Sequence, residues 1–373
     1  MRSRWRPITV FFAVAVIAAA CGGTAQPSPT SAGTGGANPC GIPVTGRCAT
    51  EAQALSGAGA TFPAVIYTKW IDEYNKLTNV QVNYQAIGSG GGIKGITDKT
   101  VDFGATDSAM TDQQLTDAKG ALLHIPTVMG GIVATFNVAG VTTLRLTGET
   151  LSGIFLGDIK KWNDPKLVAD NPGVTFPSAD IATVHRSDGS GTTAVFTDYL
   201  SKVNATWKTK VGAAQTVQWP SGVGAKGNDG IAGAVKSTPN SIGYVELIYA
   251  FQQKLGAASL KNAAGKSVDA NFDSVSKAAI GVTLPDDLRA SLTNSTNADA
   301  YPIVAMTYLL TYKDVADKGK ALAMARFFWW GTHEGQTLAK DLGYAPLPTD
   351  VLTKVEAKIK SITSGGQAVL PAQ

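Results

Sequence analysis

Histidine and cysteine are scarce in this chain, three of each in 373 residues. That leaves little material for thiol, metal or histidine-based acid–base chemistry. The histidines stand apart at 124, 185 and 333, and His333-Glu334 has no second His at metalloprotease spacing. Charge of one sign is also lacking. The net charge is +4, and Arg2, Arg4 and Arg6 supply three of it within an acid-free first 20 residues, which leaves +1. With no basic run or basic–aromatic stripe in the remainder, nucleic acid is excluded as a partner. No apolar run reaches the roughly 20 residues that span a bilayer. Nucleotide motifs fail as well. Gly90-x-Gly92-x-x-Gly95 lacks the acidic residue that completes a dinucleotide fingerprint, and Gly265-Lys266-Ser267 lacks the first P-loop glycine. There is no G-x-S-x-G elbow. Binding is therefore a simpler reading than catalysis, and no cofactor or metal is expected.

What is present begins with a leader. Three arginines precede an apolar stretch from Ile8 to Ala20, too short for a span and suited to a signal peptide over residues 1–20. Ala18-Ala19-Ala20-Cys21-Gly22 resembles a bacterial lipobox, which implies a lipid on Cys21; the alternative is a secreted chain with an incidental cysteine. Thr24 to Asn38, rich in Gly, Ser, Thr, Pro and Ala, cannot bury apolar surface and reads as a tether. The lipid-anchored tether is expected to occupy residues 21–52. Cys40 and Cys48 remain, flanking a short loop in an exported chain, and a disulfide is expected between them.

The ordered part exceeds one comfortable core and predicts two domains. Strands and helices alternate: a strand at Val80–Tyr84, a helical stretch after Gly88, a buried strand at Val101–Ala105 and a capping box at Thr111/Gln114. This predicts α/β units on parallel sheets. Two extended apolar stretches, Ile125–Val138 and Tyr301–Tyr312, read as crossings between lobes. The expected architecture is two α/β lobes able to close on a ligand, 53–133 plus 300–373 and 134–299. Lys318–Trp330 reads as a helix with Leu322, Ala325, Phe328 and Trp329 on its buried side.

The segment richest in chemistry is Arg186-Ser187-Asp188-Gly189-Ser190-Gly191-Thr192, followed at once by the helical pattern Ala194, Val195, Phe196, Tyr199, Leu200. It reads as strand end, tight loop and helix start. Unpaired N–H groups, the positive end of the macrodipole, hydroxyls and an arginine fork suit a tetrahedral oxyanion. Hydroxyl- or glycine-bearing loops around Thr61, Ser89 and Asp107 are expected at strand ends, where ligands bind in α/β sheets. His185 is read as structural or superficial.

Five motifs occur together in order: Gly57-Ala-Gly-Ala-Thr-Phe-Pro, Gly88-Ser-Gly-Gly-Gly, Asp102-Phe-Gly-Ala-Thr-Asp107, Arg186-Ser-Asp-Gly-Ser-Gly-Thr192 and Gly227-Asn-Asp-Gly230. Over roughly residues 53–362 the chain resembles the PstS family, the phosphate-binding proteins of the bacterial high-affinity phosphate ABC importer. The resemblance implies the two-lobed type 2 periplasmic-binding-protein fold with the ligand in the cleft. It also implies phosphate contacts at Thr61, Phe62, Ser89, Asp107, Arg186, Ser190, Gly191 and Thr192. Gly90 in place of a second serine, and His185, depart from the family pattern. Asp188 is expected to hold the Arg186 guanidinium. The implied role is capture of inorganic phosphate and its delivery to the permease and ATPase subunits of the importer. The chain would sit on the extracytoplasmic face of the cell membrane, attached through the lipid only.

Asp107 supplies the physical reason for phosphate over sulfate. Phosphate near neutral pH carries a proton and sulfate carries none, and an ionised carboxylate can only accept. A site built around that bond disfavours the analogue lacking the donor. Helix capping is the alternative role for Asp107, Ser190 and Thr192. Rival functions are binding of another oxyanion such as sulfate or molybdate, a secreted phosphatase, and a surface antigen or adhesin on the same scaffold.

Overall fold

The computed structural model describes residues 40–371; the signal segment, Cys21 and the stretch from Thr24 to Asn38 lie outside the described residues. From the N-terminus the elements are β1 (Ala54–Gly59), α1 (Ala64–Thr78), β2 (Gln81–Ala86), α2 (Ser89–Thr97), β3 (Phe103–Thr106), α3 (Asp112–Asp117) and β4 (Leu122–Asn137). Next come β5 (Arg145–Leu146), α4 (Gly148–Leu156), α5 (Pro165–Asp170), β6 (Ala182–Arg186), α6 (Gly191–Val203), α7 (Ala205–Lys210), β7 (Val223–Ala225), α8 (Gly227–Ser237), β8 (Ser241–Glu246) and α9 (Leu247–Gln253). After β9 (Gly256–Ala257), β10 (Ser259–Lys261), β11 (Ser267–Val268) and α10 (Phe272–Lys277), the chain forms β12 (Val304–Tyr312) and α11 (Lys318–Thr332). It ends with α12 (Thr349–Lys360) and the pair β13 (Thr363–Ser364) and β14 (Gln367–Ala368).

One sheet runs β2-β1-β3-β12-β4-β8-β6-β7, with β9 on β4. Its two outer portions are parallel, β2-β1-β3 on one side and β8-β6-β7 on the other. We call them the first and second halves. The all-parallel expectation fails at the centre: β12 runs antiparallel to β3 and β4, and β4 antiparallel to β8. The cause is the length of β4. It pairs with β12 from Leu122 to Gly131 and with β8 from Ile132 to Asn137, so a single apolar strand serves both halves. All but its end residues are buried, as expected of a strand covered on both faces.

The pairing of β12 with β4 slips between Met306 and Tyr308. There Thr127 and Val128 lie opposite the single residue Thr307, next to Pro126, which cannot donate to a ladder. Such a slip re-aims a side chain, here that of Thr307.

Two further expectations need revision. Helix α11 is not one-sided: every residue from Ala321 to Thr332 is buried. Residues 40–52, which were expected to belong with the tether, pack against it through Arg326. Val44, Cys48 and Glu51 are buried there, and Cys40 and Cys48 are bonded to each other with Sγ–Sγ 2.00 Å. Arg326, fully buried in α11, donates through Nε to Glu51 Oε2 at 2.8 Å and through Nη1 to the Gly41 carbonyl at 2.8 Å. Nη2 donates to the Gly46 carbonyl. A buried guanidinium is tolerable only when paired and hydrogen-bonded in this way. Among the described residues no helix is long and apolar enough to cross a membrane.

Candidate anion-binding site

Helices α1, α2 and α6 begin where the two halves meet. The turn Thr61-Phe62-Pro63 leads into α1, Gly88 precedes α2, and Ser190 caps α6 by accepting the Thr193 N–H at 3.0 Å. Each start carries N–H groups with no intrahelical acceptor. The chain reaches these turns from β1, β2 and β6, and Asp107 directly follows β3. Ligand sites in open α/β sheets lie at such strand ends.

Thr61, Phe62, Ser89, Asp107, Arg186, Ser190, Gly191 and Thr192 are all buried. They form one cluster spanning both halves. Gly191 shows how closely the walls approach. A Cβ placed there would lie 2.5 Å from Ser89 Oγ and 2.7 Å from the Asp107 nitrogen, so only glycine fits. At the cleft edge the Gly90 N–H donates to the Gly189 carbonyl at 2.9 Å, and Gln215 Nε2 donates to Ser108 Oγ at 3.1 Å. The halves are thus closed on one another.

Arg186 enters from the end of β6. Its Nε donates to Asp188 Oδ1 at 2.7 Å and its Nη2 to Asp188 Oδ2 at 2.5 Å, while Asp188 Oδ1 also accepts the Gly227 N–H at 3.1 Å. This two-pronged pairing fixes the guanidinium plane. Arg186 Nη1 is buried with no hydrogen-bond partner in the protein. Its hydrogens are fixed charged donors awaiting an acceptor, and an unmet buried donor is costly.

Asp107 faces this from the first half. Its Oδ1 accepts from Thr307 Oγ1 at 2.9 Å and its Oδ2 accepts from Ser89 Oγ at 3.4 Å. Burial pushes the carboxyl up to about 7, against the opposing influences of the Thr307 bond, the Arg186 charge, the Ser89 bond and the Thr192 N–H. Burial thus works against the ionised, proton-accepting form expected of this carboxyl, and those four contacts work in its favour. It is not a helix cap: α3 is capped by Thr111, whose hydroxyl accepts the Gln114 N–H in a full capping box. Ser190 does cap α6, and the cap occupies one of its two lone pairs while its own O–H remains a donor.

A cleft of about 250 Å³ borders Asp107 and Ser108 and reaches Asp198 and Arg289; neither Arg186 nor Thr192 lines it, so it lies beside the cluster rather than within it. His185 stacks on Trp219 with centroids 4.9 Å apart and Nδ1 against the Arg186 carbonyl, a packing role. His124 accepts the Met110 N–H, and burial depresses it to about 4, which keeps it neutral. Among the described residues no group of three or more His, Cys, Asp or Glu could hold a metal ion.

Sequence reasoning missed two members. Thr307, some 200 residues from Asp107 in the chain, is delivered by the slip in β12, which no local pattern announces. Asn228 lay in plain view within Gly227-Asn-Asp-Gly230 but had been given no role. It is wholly buried between Thr61 and Thr192.

Donors fixed on one wall and an acceptor on the other, closed over by two halves of one sheet, define a solute-binding protein for an oxyanion. Comparison with known proteins gives the same class. Residues 24–328 match the PBP superfamily domain. The chain is 44% identical over 312 residues to the phosphate-binding protein PstS of Xylella fastidiosa, covering 83% of this chain and 85% of that protein. It is 44% identical over 316 residues to its counterpart in Pasteurella multocida, with coverage of 84% and 91%. The chain therefore belongs to the PBP superfamily and, within it, to the PstS family. The structure of a high affinity periplasmic phosphate-binding protein (PfluDING) bound with phosphate shares the two-lobed fold. Its TM-score is 0.67 at 21% identity, covering 84% of this chain and 96% of that one.

Proposed function

We propose that this protein binds inorganic phosphate between its two lobes and delivers it to an ABC permease for import, without covalent chemistry, metal or cofactor. One observation carries the reading: Asp107, a buried acceptor, stands across a closed cleft from Arg186, whose Nη1 lacks any protein partner. Phosphate meets both, offering oxygens to the arginine and a proton to the carboxylate. Sulfate meets the arginine equally well but brings two sets of lone pairs together at Asp107.

In this reading the Thr61 hydroxyl and the Phe62 N–H donate from the first lobe, and the Ser89 hydroxyl turns its one hydrogen from Asp107 Oδ2, 3.4 Å away, to the ligand. Arg186, the Ser190 and Thr192 hydroxyls and the Gly191 N–H donate from the second, while the Thr192 N–H is turned to Asp107. Asp188 touches the ligand nowhere and holds the arginine plane. The lobes comprise residues 53–133 plus 300–373, and 134–299. Residues 1–20 are removed as a signal peptide, and Cys21 carries the lipid that tethers the protein to the extracytoplasmic face of the membrane, where permease and ATPase subunits complete the importer. Support for this arrangement comes from the lipobox-like run, the polar tether and the family membership.

Isothermal titration of the purified protein with phosphate and with sulfate is the test. Tight phosphate binding with sulfate weaker by about 10⁴-fold is the expected result. Equal affinity for the two anions, or no phosphate binding, would reject the reading.

A further inference from the structure

Behind the Thr61–Phe62 turn lies a carboxyl that the anion site does not use. Glu246 ends β8 opposite Ile132, where β4 passes from one half of the sheet to the other. The residue is wholly buried. Its Oε2 accepts the Ile248 N–H at 3.0 Å, while Oε1 has no hydrogen-bond partner in the protein. A Cβ on Gly130 would lie 3.3 Å from that Oε1 and 2.6 Å from the Phe62 ring, so the two share the space over Gly130. An ionised carboxylate here would keep one oxygen buried without a donor, at a cost a neutral acid does not carry. Burial accordingly pushes the group well above the usual carboxylate range, against the Ile248 and Leu247 N–H groups and the nearby Tyr344 hydroxyl.

Two tyrosines join these surroundings to the turn. Tyr249 on α9, the helix that Glu246 caps, donates to the Thr61 carbonyl at 2.5 Å. Tyr344, ahead of α12, donates to the Phe62 carbonyl at 2.7 Å. The Thr61–Phe62 peptide is trans and planar, so holding its C=O on one side aims the Phe62 N–H to the other. Tyr344 has a single hydrogen, already given to the Phe62 carbonyl. A carboxylate at Glu246 would compete for that hydrogen. A neutral acid does not, and has one of its own to give to the Tyr344 oxygen.

We infer that Glu246 is a positioning residue that works as the neutral acid: its O–H on Oε1 donates to Tyr344, Tyr344 keeps its hydrogen on the Phe62 carbonyl, and the turn carrying the Phe62 N–H is held in place. The inference rests on the phosphate reading for the role of that turn, and it concerns the support of a donor rather than the proton on the ligand. Glu246 touches no ligand. The titratable groups facing it are Tyr249 on α9, Tyr344 ahead of α12 and Asp107 after β3, while Asp229 on α8 and Arg186 after β6 bear on Tyr249. A second negative charge behind Asp107 would also oppose an anion in the cleft, which favours the neutral form further.

The test compares the wild type with Glu246→Gln, Glu246→Ala and Tyr344→Phe. At about pH 8, where ordinary carboxyls are ionised, the infrared difference between wild type and Glu246→Gln should contain the carbonyl band of one buried protonated carboxyl; Asp107 is common to both and cancels. Titrations with phosphate and with sulfate supply the second readout. Glu246→Ala and Tyr344→Phe should each lose about 10-fold for both anions, the effect of one buried hydrogen bond, with the phosphate-to-sulfate ratio unchanged. Glu246→Gln should restore most of that loss, because its amide keeps an acceptor for Ile248 and a donor for Tyr344. Absence of the band would show an ionised group and overturn the inference. So would a Glu246→Gln variant as weak as Glu246→Ala, or a Tyr344→Phe variant with wild-type affinity. Should Glu246→Ala fail to fold, the band and the other two variants still decide. A wild type that shows the band but binds no phosphate would instead overturn the phosphate reading, and the role given to the turn with it.

Discussion

The two walls of the cleft are built in opposite ways. The second wall is contiguous: Arg186, its partner Asp188, the Ser190 cap and the donors of Gly191 and Thr192 all fall within seven residues of one strand–loop–helix unit. The first wall is assembled from distant pieces, with Thr61 before α1, Ser89 at the start of α2, Asp107 after β3, and Thr307 brought in by β12 to hold Asp107. The second wall carries fixed positive charge and tells the cleft that the ligand is an anion. The first carries the acceptor and tells it which anion. Affinity and identity are thus separated in space, and substitutions on the two walls should fail differently.

Arg186→Ala should produce the largest loss. It removes the buried charge and leaves the half-buried Asp188 without its partner, a change worth about 2–5 kcal/mol, or roughly 30- to several thousand-fold in affinity. The loss should be alike for phosphate and sulfate, as titration with each would report. A loss confined to phosphate would break the division of labour between the walls. Asp107→Asn is the counterpart. The amide can donate to either anion, so the phosphate-to-sulfate affinity ratio should fall by about 100-fold or more, chiefly through a gain for sulfate. An unchanged ratio would move the basis of selectivity elsewhere.

Gly191→Ala examines how the walls meet. The added methyl would lie 2.5 Å from Ser89 Oγ and 2.7 Å from the Asp107 nitrogen, and backbone cannot yield as a side-chain tip can. Overpacking of this kind costs about 1–3 kcal/mol. Here the strain exists only when the lobes are closed, so it should weaken phosphate and sulfate together by about 10- to 100-fold with little change in thermal stability. A large drop in melting temperature without loss of affinity would show that the contact belongs to the fold rather than to closure.

The contrast between the walls also explains what could be read from the chain. A contiguous device leaves a contiguous trace: Arg, Asp, two glycines and hydroxyls ahead of an apolar helical pattern identify an oxyanion loop by themselves. The β4 and β12 stretches were legible as long apolar runs because strands covered on both faces need no polar alternation. Their antiparallel course was not, since direction depends on how far β4 extends past the first half before pairing with β8. Nor could the cover of α11 be read. The Cys40–Cys48 loop has almost no apolar periodicity and packs through Arg326 and Glu51, a buried ion pair 275 residues apart in sequence. Thr307 looks like any other residue of an apolar strand, and its role arises from a one-residue slip in pairing. Asn228 was visible as a motif member, yet its meaning depends on which groups its two amide ends face.

The finest prediction concerns the support beneath Asp107. Its carboxyl is held up near 7 by burial, with the Thr307 hydroxyl as the foremost opposing influence. Below that value the group in the ligand-free cleft becomes protonated and can donate to sulfate, so selectivity for phosphate should be widest above about pH 7 and shrink as pH falls through it. The sign follows from the raised value: protonation is favoured in the folded, empty site, and each pH unit below the midpoint makes the acceptor form about tenfold rarer. Thr307→Val keeps the shape of the bulge and removes the one hydroxyl bonded to Oδ1. Losing a bond worth about 1 kcal/mol to the ionised form should move the midpoint of the selectivity profile upward by somewhat under one pH unit. Phosphate and sulfate titrations between about pH 5 and pH 9 would locate that midpoint in both proteins. A downward move would mean that Thr307 stabilises the protonated acid, which would place the shared proton on Asp107 rather than on the ligand.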